Sequence, residues 1–180
     1  MKSRIFIVLS IICTALASCN LNSESNFVPQ MSIWASHNNK TDTVKIQYTQ
    51  EVGVIKMDTI NVGDTLLLRL YLDGLTNNLT DFNIVLSDTS LSKIILPKES
   101  AMDSVFSKSA SNYSAGKFTF LSTEKLVFFP IRYVAKKSDS NSGYIQFTLS
   151  SDANFKTSEG SNITAFKLII PAKVKTPLLN

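Results

Sequence analysis

The most regular pattern of hydrophobic and polar positions lies between residues 65 and 72. Every second residue from Leu66 to Leu72 is leucine, and the positions between them include Arg69 and Tyr71. Successive side chains of a β-strand point to opposite faces. This period of two therefore predicts a strand with a leucine face on a hydrophobic core and a mixed face opposite.

Shorter runs of β-branched and aromatic residues recur along the chain, each bounded by turn-forming residues. Residues 98–108 alone show helical spacing, through Met102, Val105 and Phe106, and we expect a helical turn or two there. We predict strands over residues 44–49, 52–57, 82–86, 92–96, 117–121, 126–129, 131–135, 144–149 and 165–170.

This succession of strands with almost no helix predicts an all-β protein. We expect an antiparallel immunoglobulin-like β-sandwich of about eight or nine strands, with a small β-barrel as the alternative. The comparison concerns architecture only, since Trp34 lies too early to be the core tryptophan of an antibody domain. The phenylalanines in apolar strand patterns are predicted to form the core; they are Phe118, Phe120, Phe128, Phe129, Phe147 and Phe166.

The N-terminus has the order of a secretory signal. Lys2 and Arg4 precede an apolar run from Ile5 to Leu16, small residues follow, and the sequence turns polar from Asn20. A membrane-spanning helix needs roughly 20 predominantly apolar residues, so this run is too short for a good permanent span. We therefore expect the segment to be removed.

The four residues Leu16, Ala17, Ser18 and Cys19 resemble the lipobox of bacterial lipoproteins. The resemblance implies that the Cys19 thiol carries lipid and that Cys19 becomes the first residue after cleavage. Two or more acyl chains give stable membrane anchoring, whereas one gives only marginal binding. We therefore predict a signal peptide over residues 1–18, a lipidated tether over 19–30 and a single β-sandwich domain over 31–180.

Removal of the signal changes the charge and the cysteine inventory. Without Lys2 and Arg4 the basic count falls from 18 to 16 against 14 acidic residues, so the mature chain carries about +2. No basic cluster remains that would favour nucleic acid as a partner. Cys13 leaves with the signal and Cys19 is taken by lipid, so we expect no disulfide, no cysteine catalysis and no zinc–thiolate site.

Candidate catalytic groups are sparse. His37 is the sole histidine, and we expect it in a solvated loop; no Gly-x-Ser-x-Gly motif or phosphate-binding glycine loop occurs. Paired carboxylates remain an alternative, because a glycosidase needs only two acids. Most acids, including Asp64, Asp73 and Asp88, occupy turn positions, where they cap backbone N–H groups. We therefore predict a protein that is not an enzyme.

Two groups of oxygen-bearing side chains are candidate cation sites. Residues 139–143 contain a fragment of a calcium-loop pattern but lack its later acids, which favours an ordinary turn. The second group lies near the ends of predicted strands and consists of Asp73, Asn77, Asn78 and Asp81. Their oxygens could surround a cation only if the fold brought these strand ends together. We predict no metal and no cofactor.

Aromatic residues give the main candidate for ligand binding, because sugar rings stack on exposed aromatic faces. Tyr71 and Tyr144 fall on the mixed faces of their predicted strands, and Trp34 lies near the start of the domain. These three residues are the candidate ligand-binding side chains. Ordinary cross-strand pairing explains the tyrosines equally well.

With the lipobox, the polar strand-rich domain and the segments beginning at Asn61 (Asn-Val-Gly-Asp-Thr) and Phe129 (Phe-Pro-Ile-Arg-Tyr), the chain resembles cell-envelope lipoproteins of Bacteroidetes. Only residues 1–19 match specifically. The resemblance implies an outer-membrane location, since Asn20 in place of Asp argues against retention at the inner membrane. Ser23-Glu24 is a minimal acidic segment and leaves surface-facing and periplasm-facing orientations open.

Three functional hypotheses follow. The first is a lipid-anchored envelope binding or scaffold module without catalysis. The second is a glycan-binding accessory protein of a polysaccharide-uptake system, and the third is a glycan hydrolase with paired carboxylates. The membrane, through Cys19, and a glycan or an envelope protein are the predicted partners. Fold alone does not decide among these hypotheses.

Overall fold

A computed structural model describes residues 27–37, 44–140, 143–155 and 160–175. Regular structure in these residues is almost entirely β-strand, with one turn of α-helix, α1 (Glu99–Met102), and a 3-10 turn at Tyr113–Ala115. The strands are β1 (Gln30–His37), β2 (Ile46–Tyr48), β3 (Val54–Met57), β4 (Ile60–Asn61), β5 (Thr65–Asp73), β6 (Leu79–Leu86), β7 (Ser92–Ile95), β8 (Lys117–Thr119), β9 (Leu126–Ala135), β10 (Tyr144–Ser151), β11 (Ile163–Ile169) and β12 (Ala172–Lys173).

The first sheet has four strands in the order β1-β5-β9-β7, and every neighbouring pair is antiparallel. The alternate leucines of β5, from Leu66 to Leu72, are completely buried. Because β5 pairs along its whole length with β9 and over eight residues with β1, its leucines determine which face of those strands turns to the core.

The second sheet has six strands in the order β2-β3-β11-β10-β6-β8. Its pairs are antiparallel except β11 with β3, and a separate two-stranded sheet, β12 with β4, is also parallel. The arrangement is therefore antiparallel, as predicted, except at these two pairs. Parallel neighbours need a long crossover connection, and the many strands between β3 and β11 supply it.

Phenylalanine rings join the two sheets. Phe129 from β9 lies 5.9 Å from Phe82 of β6 and 5.3 Å from Phe118 of β8, with interplanar angles of 84° and 66°. Such edge-to-face contacts stabilise a core beyond the burial of apolar area. The predicted all-β sandwich is confirmed, and the sheets of the described residues do not close into the alternative barrel.

The described residues contain twelve strands rather than eight or nine. Two of the additional strands, β4 and β12, have two residues each, too few to show a period. The third, β1, pairs with β5 from Gln30 opposite Asp73 to His37 opposite Leu66. Contacts with the domain begin before residue 31, since the Phe27 amide donates to Asn77 Oδ1 at 3.3 Å.

A single strand, β9, replaces the two predicted on either side of Pro130. The Ala135 carbonyl accepts from Gly63, on the β5 side. By antiparallel alternation, Pro130 has its nitrogen on the opposite side, facing away from β5. There β7 has already ended, because its last pair is Ile95 with Arg132. Proline therefore removes no hydrogen bond of the ladder.

The helix within residues 98–108 is shorter than the helical spacing of its apolar residues suggests. Helix α1 makes one turn, after which Phe106 forms an isolated bridge with Phe120. Met102 and Phe106 are buried, so their spacing reflects contact with the core rather than a continuing helix. Of the six phenylalanines predicted for the core, five pack into or against it; Phe128 is 58% exposed, and its prediction is wrong.

The adjacent residues Phe128 and Phe129 provide a matched test of the sandwich. We expect Phe129→Ala to lower the free energy of unfolding by about 3–5 kcal/mol, because it opens a cavity between the sheets. Phe128→Ala removes only surface ring contacts and should cost about 1 kcal/mol or less. Urea unfolding followed by circular dichroism measures both, and equal losses would contradict the assignment of the two faces.

Candidate ligand-binding face

An aromatic cluster lies on the side of the four-stranded sheet that faces away from the core. It consists of Trp34 from β1, Tyr71 from β5 and Phe128 from β9, and we call it the aromatic triad. Tyr71 stands directly opposite Phe128, while Trp34 stands opposite Arg69, which precedes Tyr71 by two residues on β5. Three adjacent strands thus contribute one ring each.

The three rings contact one another. The Tyr71 ring centroid lies 5.4 Å from that of Phe128 and 6.2 Å from that of Trp34, with interplanar angles of 78° and 79°. The rings of Trp34 and Phe128 are nearly parallel, at 2° and 6.2 Å. These separations are within the range of favourable aromatic pairs, so each ring helps to hold the others in place.

The triad exposes a large apolar area to solvent. Trp34 is 48% and Phe128 is 58% exposed, and Tyr71 is half-buried between them. Leu126, next on the same face of β9, is 51% exposed. Single exposed apolar residues are ordinary, whereas contiguous exposed apolar patches mark interaction sites.

The period of two in each strand is what directs these rings outward. Every member of the triad lies between two buried residues of its own strand. The flanking pairs are Ile33 and Ala35, Leu70 and Leu72, and Val127 and Phe129. Because these flanking residues belong to the core, the outward orientation of the triad is a consequence of core packing.

Polar side chains border the triad on the same face. Arg69 is paired with both Trp34 and Pro130, and its Nη1 donates to the buried Ser36 Oγ at 3.1 Å. Arg132 is exposed one alternate position beyond Pro130, and Ser32 stands opposite Tyr71. Hydrogen-bonding groups therefore lie beside the rings.

Tyr144 does not join this face. It is half-buried on β10, in the six-stranded sheet, and alternates with the buried Ile145, so it lies on the opposite outer surface of the sandwich. The Lys167 Nζ lies 5.0 Å from its ring centroid, a cation–π distance. The structure therefore brings together Trp34 and Tyr71 of the predicted side chains and adds Phe128, which the sequence had placed in the core.

The aspartates predicted to lie in turns accept hydrogen bonds from backbone amides. Asp64 Oδ2 accepts from the Asn61 amide at 2.9 Å, and Asp73 Oδ1 accepts from the Leu75 amide at 2.7 Å. Asp88 Oδ1 accepts from the Ser90 amide at 2.6 Å. The pKa of Asp88 is lowered, chiefly by the Ser90 side-chain hydrogen bond and next by this backbone bond. These are the turn roles predicted for the three acids.

His37 lies in a strand rather than in a solvated loop. It is the last residue of β1, opposite Leu66, and is half-buried. The loop was expected because Ser, Asn and Lys surround His37 in the sequence, but pairing with β5 extends β1 to this position. His37 is therefore positioned by the β1–β5 ladder.

The oxygen-bearing side chains of the two candidate cation sites form hydrogen bonds within the protein. Asn78 donates through its amide and its Nδ2 to Asp152, at 2.8 and 2.7 Å. Asp81 accepts from Thr119 Oγ1 at 3.0 Å, and Asp139 Oδ2 accepts from the Gly143 amide at 2.6 Å. Asn141 lies outside the described residues. Within the described ranges, no three His, Cys, Asp or Glu side chains are grouped so as to hold a metal ion.

No family model matches the chain, and no curated protein matches it either. The predicted signal peptide and lipidated Cys19 lie outside the described residues, so both stay predictions. In the part of the chain that is described, no helix is long and apolar enough to cross a membrane.

Trp34 is the single tryptophan of the chain and therefore reports directly on the triad. We expect its fluorescence to be quenched readily by acrylamide, because nearly half of the side chain is exposed. Phe128→Ala should increase the quenching constant by uncovering the neighbouring ring. Ile163→Ala removes a similarly exposed side chain from the other sheet and should leave quenching unchanged; a Trp34 that resists acrylamide would contradict the exposed triad.

Proposed function

We propose that the protein is a lipid-anchored binding module of the cell envelope that performs no catalysis and binds a glycan through the aromatic triad. The observation that carries this proposal is the exposure of Trp34 and Phe128 beside Tyr71 on the surface of a paired sheet. It makes the second hypothesis, a glycan-binding accessory protein, the specific form of the first.

Sugar rings have apolar C–H faces that pack against aromatic rings, and such packing removes apolar area from water on both partners. Aromatic side chains have few rotatable bonds and lose little conformational entropy on binding. In the triad this cost is lower still, because Tyr71 contacts both Trp34 and Phe128 before any ligand arrives. Preorganisation of this kind increases affinity without new contacts.

The polar border supports a glycan ligand as well. Ser32 stands opposite Tyr71 and Arg69 stands opposite Trp34, so their donors lie beside the rings, where the edge of a stacked sugar carries its hydroxyl groups. Arg132 lies further along β9 on the same face. A guanidinium also forms bidentate hydrogen bonds with a carboxylate. We therefore expect a preference for polysaccharides that contain uronic acids over neutral ones.

The membrane anchor is the second part of the proposal. The lipobox residues Leu16 to Cys19 support acylation of Cys19, and the polar segment that follows supports a tether to β1. Anchoring at the outer membrane would retain a bound polysaccharide at the cell envelope.

We expect the full chain to bind a soluble polysaccharide in affinity gel electrophoresis across a panel of neutral and uronic-acid polymers. Trp34→Ala and Phe128→Ala should each weaken binding about tenfold, because each removes a stacking surface. The tryptophan emission of the unaltered chain should change on binding.

Ile163→Ala is the matched control, since it removes an exposed apolar side chain from the other sheet and should leave affinity unchanged. If the polysaccharide slows the migration of both triad variants as much as that of the unaltered chain, the binding site lies elsewhere on the protein. If the protein cleaves any polysaccharide in the panel, and substitution of a single carboxylate abolishes the cleavage, the third hypothesis, a glycan hydrolase, would replace the proposal. If the protein binds none of the polymers but binds an envelope protein, and Trp34→Ala abolishes that binding, the triad is a protein-binding surface.

A separate experiment tests the anchor. Cys19→Ser removes the thiol that accepts lipid, and we expect the protein made in the producing bacterium to lose metabolic labelling with radioactive palmitate. Cys13→Ser leaves the predicted lipid acceptor intact and should not change the labelling. Palmitate labelling that survives Cys19→Ser would refute the anchor without affecting glycan binding.

A further inference from the structure

A cleft of about 360 Å³ opens between the two sheets, on the side where β6 and β7 lie. Its apolar lining includes Ile84 and Leu86 from β6, Ile94 from β7, Leu96 and Tyr113. All except Ile84 are only partly buried although they pack against the core. The interior of the sandwich therefore reaches the surface at this edge. The cleft is separate from the aromatic triad, whose residues do not line it.

One wall of the cleft is the free edge of β7. The Lys136 amide donates to the Leu91 carbonyl at 2.8 Å, which marks residue 91 as a position that bonds towards β9. By antiparallel alternation Lys93 and Ile95 also bond towards β9, while Ser92 and Ile94 direct their N–H and C=O groups away from it. Among the described residues, no backbone group bonds to Ser92 or Ile94 from that side.

The other wall has an open backbone position too. The Ile84 amide donates to the Gly116 carbonyl at 2.9 Å, so even-numbered residues of this part of β6 face away from β10. Leu86 has the same orientation but lies beyond the end of β8, which pairs only as far as Asn83. Within the described ranges, the backbone of Leu86 has no hydrogen bond on this side.

The charge of the cleft is one-sided. Lys93 and Lys136 both line it, and no carboxylate is among its lining residues. The Lys136 Nζ is held near the cleft by a hydrogen bond to the Thr89 carbonyl at 2.9 Å. An occupant with a negative group next to an apolar part would complement this arrangement.

We propose that the cleft receives an extended segment of a partner polypeptide, which adds to the free edge of β7 as a further strand. Alternate apolar side chains of the segment enter the cleft, and an acidic residue meets Lys93 and Lys136. A peptide fits better than an acyl chain, because the backbone groups of Ser92, Ile94 and Leu86 need hydrogen-bond partners that a lipid lacks. Main-chain bonds supply affinity in this mode of recognition, and the pockets between strands supply specificity.

The test uses the full chain and a pool of synthetic hexapeptides in which Val, Leu, Ile or Phe alternates with Thr, with Asp at one end. We expect saturable binding, and backbone hydrogen exchange measured by NMR should slow by at least about tenfold at Ser92 and Ile94. Lys93 and Ile95 are already bonded in the ladder and should change little. A matched pool with Lys in place of Asp should bind about tenfold more weakly.

A pair of substitutions at one position isolates the edge. Ile94→Pro removes an N–H that points away from β9, so it costs no ladder bond and should abolish peptide binding. Ile94→Ala keeps that N–H and should retain most of the binding. If Ile94→Pro does not fold, Lys93→Glu with Lys136→Glu provides a second test, because this double variant should prefer the Lys pool to the Asp pool.

Three results would overturn the proposal. The first is equal binding by the Ile94→Pro and Ile94→Ala variants when both are folded. The second is binding of dodecanoate in the cleft, seen as chemical-shift changes at Ile94 and Leu96, with no binding of any peptide from the Asp pool. The third is peptide binding without protection of the Ser92 and Ile94 amides, which would place the peptide on another surface.

Discussion

The burial of alternate leucines on β5 is the constraint on which the rest of the structure depends. Leu66, Leu68, Leu70 and Leu72 are completely inaccessible to solvent, and fully burying a leucine stabilises a fold by roughly 1.5–3 kcal/mol. A shift of one residue in register would turn all four to the surface. The pairing of β5 with β1 and β9 is therefore fixed, and with it the position of every outward side chain on those strands.

The candidate site follows from that constraint. Phe129 is held between the sheets by edge-to-face contacts, so its neighbour Phe128 must point outward, next to Tyr71. The same sheet ends at β7, which lacks a neighbouring strand along one side among the described residues. One continuous core thus produces two different surfaces: a paired sheet face with exposed rings, and an open edge with unused backbone groups.

Much of this was accessible from sequence, and the failures have physical reasons. The period of two gave the sandwich and the outward direction of Tyr71. Phe128 was misplaced because Pro130 divided one strand into two runs; taken as a single strand, residues 126–135 place Phe128 on the same face as Pro130 and Arg132. The meeting of Trp34 with Tyr71 depends on the long-range pairing of β1 with β5, and the separation of Tyr144 depends on which sheet β10 joins. Neither the pairing of β1 with β5 nor the sheet to which β10 belongs can be inferred from a local sequence pattern.

The order of strands in the smaller sheet sets the distance between its two surfaces of interest. β1 and β7 form opposite margins, separated by three strand spacings of about 4.8 Å each. The triad extends from the β1 margin, and the cleft opens at the β7 margin. Because the triad reaches as far as β9, the neighbour of β7, a polysaccharide on the triad and a polypeptide on the β7 edge would be bound to one rigid sheet, with their nearest strands one spacing of about 4.8 Å apart. Two ligands with weak affinity for each other would then meet at high effective concentration, and the domain would act as a connector between them.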